Sequence, residues 1–242
     1  FLRGSSGNLE FLKLRNSLYG INVGNIKTTD NDAANIALLQ GMSIANAPEV
    51  SIKNSKIYNN AFYGLFGFYG KIDAENTLVY NCGKNVVGLY VGGDYKFTNC
   101  TFYTRGTTYI SHTKEPAFYM NNFFAYSTTA APIFATTAQA YFENCIMYGT
   151  LDNEILAEAA TDNPTPISLL FKNCDLKTDN TTLPIFQNCK FDDPQFKDVF
   201  KSNYKLKSTS PCINTGFPNG LGLDIDGFSR DATPDIGAYE FQ

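Results

Sequence analysis

One short theme returns along the chain at near-constant spacing, and it constrains the fold more than any other property. It reads apolar, polar, Asn, Cys at Phe97-Thr98-Asn99-Cys100, Phe142-Glu143-Asn144-Cys145, Phe171-Lys172-Asn173-Cys174 and Phe186-Gln187-Asn188-Cys189. Looser copies stand at Ile52-Lys53-Asn54-Ser55, Ala74-Glu75-Asn76-Thr77 and Met120-Asn121-Asn122-Phe123. Asn54, Asn76, Asn99, Asn122 and Asn144 succeed one another at intervals of 22 or 23 residues. A fixed period of this length marks a solenoid, in which each repeat buries its apolar face against its neighbours.

Around each asparagine the apolar positions alternate with others. Val50/Ile52, Ile72/Ala74, Tyr95/Phe97, Ala140/Phe142 and Leu169/Phe171 precede it, and Ser55/Ile57, Thr77/Val79, Cys100/Phe102 and Cys145/Met147 follow. Period two belongs to strands. Two short strands meeting at one residue describe a coil of a β-helix, and asparagine suits the corner because it tolerates the left-handed backbone of a sharp turn. The expected fold is all-β, a right-handed parallel β-helix of about seven to eight coils of about 22–23 residues. It is expected to span residues 1–192, with residues 193–242 as an irregular C-terminal cap over the last apolar layer.

Asn54, Asn76, Asn99, Asn122, Asn144 and Asn173 read as a structural ladder of side-chain amides, with Asn16 at the corner of the first copy. Cys100, Cys145, Cys174 and Cys189 share one inward slot. On the 22-residue period Cys100 and Cys145 are two coils apart, too far to bridge. The slot reads as buried small apolar residues, with oxidation of a neighbouring pair among Cys145, Cys174 and Cys189 as the alternative. Third strands are expected at 65–68, 89–91, 109–112 and 133–135, and 151–166 reads as a short helix or irregular flap.

Composition narrows the function. The chain has 242 residues and a formal net charge of −4, with no basic cluster, so it carries no electrostatic footprint for nucleic acid. No apolar run is long enough to span a bilayer as a helix, and no signal peptide is visible. Phe1 reads as the inside of a coil, so residues upstream of it are expected.

The tail adds specific elements: Asp193-Pro194-Gln195-Phe196, Ser210-Pro211-Cys212-Ile213, Asp224-Ile225-Asp226-Gly227 with Arg230, and Asp235-Ile236-Gly237-Ala238-Tyr239-Glu240. Together with the Asn-Cys coils they resemble the right-handed parallel β-helix proteins of the pectin-lyase-like superfamily, and more narrowly the secreted, Bacteroidetes-type choice-of-anchor β-helix proteins. Asn214 departs from the aspartate usual there. The resemblance implies a secreted, periplasmic or cell-surface protein and no particular reaction.

Catalytic residues of the superfamily's lyases and hydrolases would be a base with calcium-binding carboxylates, or aspartates converging from neighbouring coils. No such stack of outward carboxylates is found, and no catalytic residue or metal ligand is assigned. His112 reads as a packed histidine, with Glu115 the nearest carboxylate in sequence, and Asp30-Asn31-Asp32 as a solvated loop. Asp224, Asp226 and Asp235 imitate a calcium loop, but Phe228 and Ser229 occupy positions that want an oxygen ligand and a glycine, so Arg230 paired with an aspartate is the preferred reading. No cofactor is assigned, calcium in this loop being the alternative. Tyr58, Tyr80, Tyr103, Tyr126 and Tyr148 each stand four residues beyond a repeat asparagine and face outward by parity. They form a candidate platform for the rings of a polysaccharide or surface glycan; the structural alternative is a stripe that covers the sheet. Tyr63, Phe66, Tyr69 and Tyr90 could extend that surface. The function read from this is non-catalytic binding of polysaccharide or another surface partner. The alternatives are a polysaccharide lyase or glycoside hydrolase, or a structural stalk or adhesin segment.

Overall fold

A computed structural model describes residues 4–24, 41, 43–108, 110–125, 134–161 and 165–242. Its strands build a parallel β-helix with three faces. The first face stacks Ser6–Glu10, Glu49–Lys53, the second half of Tyr63–Glu75, the second half of Val87–Thr98, Ala138–Glu143, Ile167–Lys172 and Phe186–Gln187, in that order. The second stacks Lys13–Arg15, Lys56–Asn60, Leu78–Cys82, Thr101–Thr104, Ile146–Gly149 and Asp175–Leu176. The third holds Tyr19–Val23, the first halves of the two long strands, Phe118–Asn121 and Ile155–Glu158. Every ladder within these faces is parallel.

Alternation along the strands builds the core. Phe97, Phe142 and Phe171 stack through its centre, with ring centroids 4.6 Å apart and planes 17° and 15° from parallel. Phe102 and Phe118 meet Phe142 edge-on. A buried aromatic pair in such geometry adds about 0.5–1.5 kcal/mol beyond its buried area.

The corner between the first two faces is left-handed as expected. Asn54, Asn76, Asn99, Asn144, Asn173 and Asn188 have φ of 50°, 45°, 51°, 52°, 51° and 53°. Register corrects two members of the series. Glu10 pairs with Lys53 and Lys13 with Lys56, so Phe11, with φ 55°, occupies this corner in the first coil. Asn16 belongs to a second corner, alongside Asn59 and Asn81. Asn122 lies in no left-handed corner. Phe142 pairs directly with Phe97, so one coil of 45 residues separates Asn99 from Asn144. Asn122 instead follows the third-face strand Phe118–Asn121, where its amide donates to the Thr165 carbonyl and accepts from the Ala160 N–H. The 23- and 22-residue intervals on either side of Asn122 are a coincidence of spacing inside a long coil. Cys100 and Cys145 are therefore neighbours: the Cys100 N–H donates to the Cys145 thiol at 3.5 Å. All six cysteines are free.

Two further expectations change. Residues 110–113 form no strand; Phe118–Asn121 takes that place. The 151–166 insertion supplies a third-face strand, Ile155–Glu158, rather than a helix or flap. Tyr109, Ile133 and the Asp30–Asp32 loop lie outside the described residues.

The tail does not sit over the end of the stack. It runs down the side, across the second face, in the direction opposite to coil order. The Cys212 thiol donates to Asp175, Phe217 exchanges two 2.7 Å bonds with the Asn144 amide, and the Asn219 amide donates to Asn99. The Asn76 amide then donates to the Leu223 carbonyl, and Asp226 meets Lys56. The corner asparagines thus clasp this strap more than one another. Among the described residues, the direct amide contact between corner asparagines is Asn144 to Asn99, at a long 3.5 Å.

Candidate functional site

Tyr58, Tyr80 and Tyr103 point outward, as parity requires, but the strap roofs them. Tyr58, Tyr80 and Tyr103 are each 7% exposed. Tyr58 and Tyr80 stack face to face at 4.7 Å, and Tyr204 of the strap packs on Tyr80 at 4.8 Å and Tyr103 at 5.2 Å. Burial pushes the Tyr80 hydroxyl up to about 12. Tyr148 is half-buried with the Lys177 ammonium over its ring, and Tyr126 lies outside the described residues. The Tyr58, Tyr80 and Tyr103 rings have no free face for a sugar; they glue the strap to the solenoid.

The acidic residues of the tail are also structural. Arg230 pairs with Glu240 at 3.0 Å, rather than with an aspartate, and donates to Asn76 and the Gly237 carbonyl. Asp224 accepts from the N–H groups of Asp226, Phe228 and Glu240, and Asp235 from those of Asn214 and Phe241. Asp226 faces Lys56 and Lys205. Carboxylates spent on amides and ammoniums do not converge as a calcium loop requires.

His112 finds a carboxylate the sequence could not indicate. Its Nε2 lies 3.0 Å from Glu154 Oε1, both side chains fully buried. Glu154 also accepts from the N–H groups of Ala117 and Leu151. Gly149 leaves room for it: a Cβ there would stand 2.0 Å from Glu154 Oε1. The pair is sealed from solvent and anchors the 151–161 segment on the long coil.

What remains open is a groove along the second corner. Asn16, Asn59 and Asn81, at φ 59°, 56° and 51°, stand in successive coils and line a cavity of about 780 Å³ with Arg105, Thr107 and Ser202. Leu18, Ala61 and Ile110 supply its apolar patches. Asn16 and Asn59 are exposed, while Asn81 is buried and its Oδ1 has no partner. The Arg105 guanidinium lies 4.8 Å over the Phe200 ring, and its Nε is likewise unpaired. No carboxylate lines this groove among the described residues. Sequence carries a signal for it: each of Asn16, Asn59 and Asn81 stands five residues past a first-corner position, Phe11, Asn54 and Asn76.

Parallel ladders, repeating left-handed corners and a continuous inward stack define the molecule as a parallel β-helix. No protein-family model matches the chain, and no curated protein matches it in sequence. Among solved structures it is similar to pectate lyase Pel9A, with a TM-score of 0.44 and 12% identity, over 81% of this chain and 55% of that one. The chain thus spans about half the length of that structure. Among the described residues, no helix is long and apolar enough to cross a membrane.

Proposed function

We propose that this chain is a secreted or cell-surface β-helix protein of the choice-of-anchor kind that binds polysaccharide without cleaving it, in the groove along the second corner. The observation that carries the reading is the row of Asn16, Asn59 and Asn81 opening beside Arg105. The carboxamides repeat at the coil pitch, about 4.8 Å, and the exposed Asn16 and Asn59 each offer a donor and an acceptor. That suits a linear polymer of hydroxylated rings. One neutral hydrogen bond is worth only about 1 kcal/mol net, so affinity accrues over several coils. Amides, hydroxyls and one guanidinium bind but do not supply the paired carboxylates of glycoside hydrolysis. Secretion rests on the tail's resemblance alone.

The test is a polysaccharide panel scored for binding and for cleavage with the intact chain, Arg105→Ala and Asn59→Ala. Removing the charged donor is expected to weaken binding about 10- to 100-fold with unchanged melting; Asn59→Ala weakens it about 3- to 10-fold and also lowers the melting temperature, because alanine is strained at the left-handed φ of 56°. Cleaved product would replace the reading with a lyase or hydrolase. Absence of binding to any polysaccharide would leave the stalk or adhesin reading in its place.

A further inference from the structure

We propose that Cys174 and Cys189 are a redox-modifiable pair, which a disulfide oxidant converts to an intrachain disulfide that staples the last coil onto the solenoid. The pair is set by register. Phe171 pairs with Phe186, Lys172 with Gln187 and Asp175 with Lys190, all parallel, so Cys174 and Cys189 occupy matching positions on neighbouring coils. The Lys190 N–H donates to the Cys174 carbonyl at 2.8 Å, which fixes the two backbones side by side. Neighbouring parallel strands run about 4.8 Å apart, inside the Cα separation of about 4.4–6.8 Å that a disulfide spans. Both side chains point inward: the Cys174 thiol donates to the carbonyls of Phe142 and Lys172, and the Cys189 thiol to those of Phe171 and Gln187.

Position distinguishes this pair from the rest of the thiol stack. Cys100, Cys145 and Cys174 are buried, whereas Cys189 is only half-buried. A reagent therefore enters at Cys189. Its thiolate attacks one sulfur of a low-molecular-weight disulfide, forming a mixed disulfide and releasing one thiol. The Cys174 thiolate then attacks the Cys189 sulfur and displaces the second thiol. Two S–H bonds are lost and one S–S bond forms, with two electrons passing to the oxidant. The coil that gains the staple is the one held most lightly, by the two-residue strands Asp175–Leu176 and Phe186–Gln187.

The intact chain is incubated at alkaline pH with oxidised glutathione, alkylated, digested and mapped by mass spectrometry. The expected product is a peptide joining Cys174 to Cys189, lighter by two hydrogens than its reduced parts. Proteolysis within the exposed 179–184 loop should slow, and reductant should reverse both changes. Cys189→Ser should abolish both while leaving the circular dichroism unchanged. Recovery of Cys189 unmodified, arrested as the glutathione mixed disulfide, or joined to a second chain would overturn the pairing. So would a bridge between Cys145 and Cys174.

Discussion

At the residue scale, the corner asparagines do two jobs that substitution can separate. Asn144 holds a left-handed φ of 52° and clasps Phe217 through both ends of its amide. A Cβ in that conformation costs about 1–2 kcal/mol for a residue without asparagine's local hydrogen bonding, and each lost bond costs about 1 kcal/mol. Asn144→Ala should therefore destabilise by about 3 kcal/mol, and Asn144→Gly by less, because glycine restores the turn but not the clasp. Chemical denaturation of the two variants checks the difference. The turn role was legible in the sequence, since a repeated asparagine between two strand patterns leaves few alternatives. The clasp was not, because its partners lie 73 residues away in a segment with no repeat.

Asp175 gives a second residue-scale prediction. It is fully buried, its Oδ2 accepts from the Cys212 thiol, and burial raises its carboxyl to about 7. Unfolded, it loses its proton near 3.8. The native state thus binds more protons between these values, and the stability this group contributes is lost as pH rises from about 4 to about 7. Asp175→Asn should lack that loss. Its stability relative to the parent chain should climb by a few kcal/mol across the window, read as the difference between two denaturation series.

At the scale of elements, the strap is joined to the solenoid by buried groups, with Arg230 donating to Asn76, as well as by the more accessible Lys56–Asp226 pair. The Arg230–Glu240 pair is nearly inaccessible, with side-chain exposures of 1% and 5%. Truncating one partner leaves a buried charge alone, so Glu240→Ala should cost about 3–5 kcal/mol. Tyr80→Ala opens a cavity between Tyr58 and Tyr204 and should cost about 3 kcal/mol, yet leave polysaccharide binding in the second-corner groove unaltered. Calorimetry and the panel assay read the two effects separately. Sequence placed Tyr58, Tyr80 and Tyr103 on the outside of the sheet, where the structure has them. It could not say that the outside of this face is an interface, because alternation reports which way a side chain points and not what lies beyond it.

For the whole molecule, the stack was legible wherever strand followed strand without interruption, and misread where one coil doubled its length. Met120-Asn121-Asn122 fits the repeat in composition and spacing, yet the ladder passes straight from Phe97 to Phe142. Loop length is unconstrained by coil pitch, so a spacing rule counts coils only when the loops are short. The His112–Glu154 pair was invisible for the same reason: its partner arrives from an insertion 42 residues on.

The strap's path has a consequence for how such a protein can change its length. Residues 212, 217, 219, 223 and 226 touch successive coils at Asp175, Asn144, Asn99, Asn76 and Lys56. The tail acts as a vernier cut to a fixed number of rungs. Duplicating or deleting a coil between Lys56 and Asp175 would shift every later mark by one, and selection would have to rewrite the tail at the same time. Growth by whole coils is open only beyond the marked span, while loops within it can lengthen freely, as the coil between Asn99 and Asn144 has done.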